Sequence, residues 1–146
     1  MFSPLVQNMI EQYDYPVLGA AELGSFFETA EDVVLFFTED ASKFPETNDV
    51  AMILPELVKA FGGRFSTAVI APGDQRRLQM RYGFREWPSL VFLRNGEYLG
   101  AISRVQDWNV YLAETDRILA SVPSRPPGFL LAESQAGGCP RRGCDT

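Results

Sequence analysis

Histidine is missing from this chain of 146 residues, and cysteine occurs only as Cys139 and Cys144, both within the last eight positions. The first absence removes the side chain that most often serves as a base near neutral pH, together with the commonest protein metal ligand. The second leaves nearly the whole chain without a thiol for disulfide exchange, and two tail thiols alone make a weak metal site. No stretch approaches the roughly 20 apolar residues that cross a bilayer. The opening MFSPLVQNMIEQYDYP also lacks the basic start and unbroken apolar core of an export signal. The expectation is a soluble, cytoplasmic protein with no membrane insertion. In that reducing compartment the tail thiols would not form a structural disulfide.

Apolar material is plentiful: 46% of residues are hydrophobic and 12% aromatic, enough for the core of a single domain. Charge is divided unevenly. Residues 1–63 carry eleven carboxylates against Lys43 and Lys59, a net of −9, whereas residues 64–146 carry eleven arginines and eight carboxylates, a net of +3. An acidic first half disfavours nucleic acid and favours a basic partner. Arg76, Arg77, Arg81 and Arg85 cluster around one helical segment but have no interleaved aromatic platform, so a solvated helix face is the simpler reading.

Periodicity predicts the elements. Ser3 is a candidate N-cap with Pro4 at the first helical position, and Leu5, Val6, Met9, Ile10 and Tyr13 recur at helical spacing. YPVLGA, residues 15–20, reads as either a short edge strand or a loop. Leu23, Phe26, Phe27 and Ala30 suggest a second helix. VVLFFT, residues 33–38, is a continuous apolar run of strand length, expected to be buried on both faces. A helix follows in NDVAMILPELVKAF, with Thr47 or Asn48 as its cap, Pro55 inside it and Gly62-Gly63 as its stop. FSTAVIA is the next strand, and Asp74 is placed to cap DQRRLQMRYG. SLVFLR and EYLGAIS flank Asn95-Gly96, the strongest short hairpin signal, and Asp107 precedes a last amphipathic helix. The order α, β, α, β, α, β, α, β, β, α implies a mixed sheet covered by helices. From residue 122 the text turns rich in Pro, Gly and polar residues, and residues 122–146 are expected to form a flexible tail to a domain of residues 1–121.

At RYGFREWPSLVFLRNGE, with VVLFFT and the proline-bearing helix ahead of it, the chain resembles the thioredoxin family over roughly Glu22 to Ala120. That resemblance implies a thioredoxin-like α/β fold, a cis peptide at Trp87–Pro88, and a redox motif spanning Thr47 to Val50. Those four positions read TNDV, which cannot perform thiol exchange. The missing pair, the acidic FFTEDASKFPETNDVAMILPEL, the REWPSLVFLRNG segment and the short first helix together resemble the HyaE/HupG/HoxO family of hydrogenase accessory proteins, over about residues 3 to 120. Membership would imply a non-enzymatic, cofactor-free assembly chaperone for [NiFe] hydrogenase. Its partner would be the small-subunit precursor with its twin-arginine signal peptide, before export, with other maturation proteins as further partners.

On that reading the candidate partner-binding residues are Glu39, Asp40, Phe44, Glu46, Asp49, Trp87 and Pro88. The four carboxylates could offer charge-assisted contacts to paired arginines, or form no more than a solvated loop, with Asp49 favouring the helix dipole. Phe44 could anchor a partner or plug its own loop. Trp87 could line a peptide groove or be ordinary core, and Pro88 would leave adjacent backbone open to strand-like pairing. Two rivals stay open: a thiol-redox protein using Cys139 and Cys144, whose flanking arginines favour thiolates, and a redox-inactive interaction module for another partner.

Overall fold

The computed structural model describes residues 2–127, in which the predicted element order is present in full. The Ser3 hydroxyl accepts the Val6 N–H at 3.2 Å and opens α1, Pro4–Tyr13, which ends on a left-handed Asp14. YPVLGA contains a two-residue strand, β1, Val17–Leu18. After α2, Leu23–Phe27, comes β2, Asp32–Phe37, every residue of which is buried. Then follow α3 (Glu46–Ala60, enclosing Pro55), β3 (Ser66–Ile70), α4 (Gln75–Tyr82), β4 (Ser89–Arg94), β5 (Glu97–Ser103) and α5 (Trp108–Ala120).

The five strands form one sheet in the order β1-β3-β2-β4-β5. β3 runs parallel to both β1 and β2, while β4 is antiparallel to β2 and β5. Asn95 and Gly96 both have positive φ, 52° and 81°, the pairing that a tight two-residue hairpin with right-handed strand twist requires. Alternation along β2 divides the core. Val34 and Phe36 pack with Val6, Leu54, Phe92, Tyr111 and Ile118, under α1, α3 and α5. Val33, Leu35 and Phe37 pack with Leu23, Leu78, Tyr82 and Trp87, on the side of α2 and α4. Each large side chain so buried contributes about 1.5–3 kcal/mol. α5 lies close on β5 at Gly100, where a Cβ would meet Ile118 Cγ1 at 2.9 Å.

Several polar residues at helix starts serve tertiary ties instead of caps. α3 begins at Glu46, so Thr47 lies inside it and donates its hydroxyl to the Thr38 carbonyl at 2.7 Å. Asn48 accepts from Ser3 Oγ at 2.6 Å, holding α1 to α3. The Asp74 carboxylate accepts the Ala20 N–H at 2.8 Å instead of capping α4. Asp107 stands at the N-cap of α5, but its side chain makes no capping hydrogen bond. At α3 and α4 the local signal is correct in kind, yet a neighbouring segment folds close enough to take the hydrogen bond.

At the opposite end of the sheet, the Asp32 side chain is only 8% exposed and accepts from Arg94 Nε at 2.7 Å and Nη2 at 3.3 Å, with Arg64 Nε 3.7 Å away. Arg94 also donates to the carbonyls of Leu119 and Ser121, at 2.7 and 3.1 Å, and so closes the C-terminal end of α5. Beyond α5 the Ser124 N–H donates to the Tyr98 carbonyl at 2.9 Å. Residues 128–146, with Cys139 and Cys144, lie outside the described residues.

Candidate functional site

The end of β2, the loop of residues 38–45 and the start of α3 meet the turn before β4. The Trp87–Pro88 peptide is cis, and Pro88 is buried with its carbonyl accepting the Arg104 N–H at 2.7 Å. Trp87 is 6% exposed, inside an aromatic cluster with centroid distances of 5.0 Å to Phe84, 6.3 Å to Phe37 and 6.5 Å to Phe44. The Arg76 guanidinium sits over its ring, 5.4 Å from the centroid. Trp87 is therefore core and groove wall together. Its backbone N–H and carbonyl have no hydrogen-bond partner among the described residues. Phe44 plugs its own loop, half-buried against the cluster, and it lines the same groove.

The loop between is held from below. Gln75, 1% exposed, donates to Thr38 Oγ1 at 3.0 Å and the Ile70 carbonyl at 2.8 Å, and its oxygen accepts the Glu39 N–H at 2.6 Å. Glu39 has a positive φ of 50°, and its carboxylate, 16% exposed, pairs with Arg76 at 3.2 Å. Asp40 is exposed and accepts from the Ser42 N–H and hydroxyl, at 2.9 and 2.8 Å, which hold its carboxyl below the ordinary range. Asp49 is exposed in the first turn of α3, and its carboxylate makes no hydrogen bond or ion pair among the described residues.

Glu46 is the most constrained of the four carboxylates. Arg104 grips it through Nη2 at 2.6 Å and Nε at 3.2 Å, and the Val105 N–H adds a bond of 2.8 Å. The Arg104 hydrogen bond, then the Val105 N–H, lower its pKa from 4.5 to about 2. A folded-state pKa below the unfolded one means that this contribution to stability is whole above about 4.5 and is lost as pH falls from there toward 2. Glu46→Gln is expected to flatten the loss of stability across that interval. Urea midpoints at about pH 6 and about pH 3 would test it, and an acid sensitivity equal to that of the parent would refute it.

Two recesses flank the loop. One, of about 470 Å³, lies between the start of α1 and the loop and is lined by Phe2, Ser3, Glu39, Asp40 and Gln75 among others. The other, of about 560 Å³, lies on the cis-proline side and is lined by Phe44, Pro45, Trp87, Lys43, Arg76, Arg85, Arg104, Glu46 and Glu86, with Gln79. The sequence-derived set thus gathers around one loop but divides between two surfaces: Glu39 and Asp40 line the first, and Phe44, Glu46 and Trp87 the second. Sequence reasoning missed Gln75 and Arg104. Neither has a local signal, because each acts on a partner far away in the chain, although Arg104 follows the hairpin directly and its φ of 64° marks a constrained turn.

A mixed sheet in this order and a cis proline beside the start of α3 define a thioredoxin-like domain, and the positions that the resemblance assigns to its redox pair hold Thr47 and Val50. Mitochondrial thioredoxin 3 of Saccharomyces cerevisiae superposes with a TM-score of 0.59 at 13% identity, covering 75% of this chain and 97% of that one, a likeness of fold alone. Within that class the chain belongs to the family of hydrogenase-1 expression protein HyaE, whose model matches residues 5–111. It is 46% identical over 137 residues to the hydrogenase expression/formation protein HoxO of Azotobacter vinelandii, covering 94% of this chain and 92% of that protein. A crystal structure of a hydrogenase expression/formation protein, HupG from Rhodopseudomonas palustris, matches with 40% identity and a TM-score of 0.52, covering 72% of this chain and 95% of that one.

Proposed function

We propose that this chain serves [NiFe] hydrogenase maturation as a non-enzymatic chaperone in the cytoplasm. It binds the small-subunit precursor and its twin-arginine signal peptide before export. The observation that carries this reading is the pairing of an absent redox motif with an open peptide edge: Thr47 and Val50 stand where the thioredoxin resemblance puts thiols, while the Trp87 backbone beside cis-Pro88 has a donor and an acceptor without a partner among the described residues. An extended segment can add there as a short strand. Family membership supports the hydrogenase context. No helix among the described residues is long and apolar enough to cross a membrane.

The internal ties select which carboxylates can meet arginines. Glu46 is committed to Arg104 and Glu39 to Arg76, whereas Asp40 and Asp49 are exposed. Asp40 and Asp49 are therefore assigned to the signal peptide. Its arginines would meet Asp40 at the recess beside Phe2 and Ser3, leaving the cis-proline groove for another segment. The test is binding of the purified chain to the small-subunit precursor, with and without its signal peptide, across a salt series. The expected result is binding that needs the signal peptide, weakens with salt, and falls about tenfold in Asp40→Asn with Asp49→Asn. Equal binding of both precursor forms would overturn the signal-peptide contact.

A further inference from the structure

The cis-proline groove differs in charge from the rest of the protein. The chain has a net charge of −6, yet four cationic side chains line this groove against two carboxylates. Both carboxylates, Glu46 and Glu86, face the same arginine, Arg104, at 2.6 and 3.7 Å. Arg76 is turned to Glu39 and stacks on Trp87. Lys43 and Arg85 are exposed and form no ion pair among the described residues. The result is an aromatic wall of Phe44 and Trp87 with two exposed cations near it, Arg85 and a Lys43 that is within electrostatic reach of Asp40, next to a backbone donor and acceptor with no partner among the described residues.

We infer that this groove binds an extended peptide segment in which a carboxylate side chain neighbours an apolar one. The apolar group packs on the half-buried Phe44 at the edge of Trp87, the carboxylate pairs with Arg85 or Lys43, and backbone pairing at Trp87 fixes the strand direction. Phosphate groups of nucleic acid fit the cations, but the groove offers no exposed stacking surface, because Trp87 is 6% exposed and already covered by Arg76. A basic segment is excluded here by like charge and belongs on the opposite side of the loop. The inference rests on the precursor-binding reading and divides that contact in two: arginines at Asp40, and an acidic, apolar segment at Trp87.

The chain has two tryptophans, so Trp108→Phe leaves Trp87 as the sole reporter of the groove. Two blocked hexapeptides, one alternating glutamate with valine and one alternating lysine with valine, are titrated against this variant by fluorescence. The glutamate peptide is expected to bind about tenfold more tightly at low salt, with the gap narrowing as salt rises. Arg85→Glu, at an exposed position, should erase the preference, and Lys43→Glu should reduce it. Equal affinity for the two peptides, or a preference that survives both reversals, would overturn the inference. The precursor is titrated in parallel. A precursor that fails to bind while the glutamate peptide discriminates sinks the precursor reading and upholds the groove's specificity. A precursor that binds while the peptides do not discriminate leaves the precursor reading standing and rejects the groove inference.

Discussion

Asp32→Ala is expected to lower the stability of this chain by about 3 kcal/mol, because it strips the partner from a partly buried arginine. Asp32 sits at the first position of β2, and its two oxygens receive Arg94 through both Nε and Nη2. The Arg94 side chain is 20% exposed, so it keeps only part of its hydration when the carboxylate is gone. Arg64, at 49% exposed, can turn to solvent and moderates the loss. The damage spreads because Arg94 also closes the last turn of α5 through the Leu119 and Ser121 carbonyls. Urea denaturation measures the loss. Adding Arg94→Met to Asp32→Ala removes the stranded charge but also both bonds to the α5 carbonyls, so the double variant should lie within about 1 kcal/mol of Asp32→Ala alone. A single variant within about 0.5 kcal/mol of the parent would show the ion pair to be a surface pair of little consequence.

Gln75→Leu should be nearly as costly and more local. Its amide satisfies three groups at once, the Thr38 hydroxyl, the Ile70 carbonyl and the Glu39 N–H. Leucine fills similar space but leaves all three without that partner, and each buried polar group so stranded costs about 1–3 kcal/mol. Some of this is relieved when the loop lifts and water enters, so the net expectation is about 3 kcal/mol with faster amide exchange at Glu39 and its neighbours. Unchanged exchange in the loop would show that Glu39–Phe44 is held by its own turns, Lys43 and Phe44 donating to the Asp40 carbonyl at 2.9 Å each, and not by Gln75.

The scaffold was legible from sequence because its signals are local. VVLFFT is a buried strand by length and composition, and Asn95-Gly96 is a hairpin wherever it occurs between such runs. The cis peptide came only from resemblance, since nothing in the composition distinguishes Trp87–Pro88 from any other X-Pro bond. The candidate loop was legible as acidic but not as a surface. Whether a carboxylate faces solvent depends on Arg76 and Arg104, which stand 37 and 58 residues from their partners, and no local pattern spans such gaps. The same limit hid the sign of the groove. Lys43 and Arg85 lie far apart in the sequence, and only the fold brings them to the same side of Trp87.

The buried state of α3's first turn limits what chemistry could be placed there. Thr47 is fully enclosed and Val50 is 2% exposed, with the Thr38 backbone and the tethered loop above them. Cysteines placed at both positions would be shut away from any disulfide in solution, because exchange needs an open line of approach for the attacking sulfur. Thr47→Cys with Val50→Cys is therefore not expected to create a working exchange site on this scaffold. The loop tied to Thr47 and Gln75 would also have to move aside.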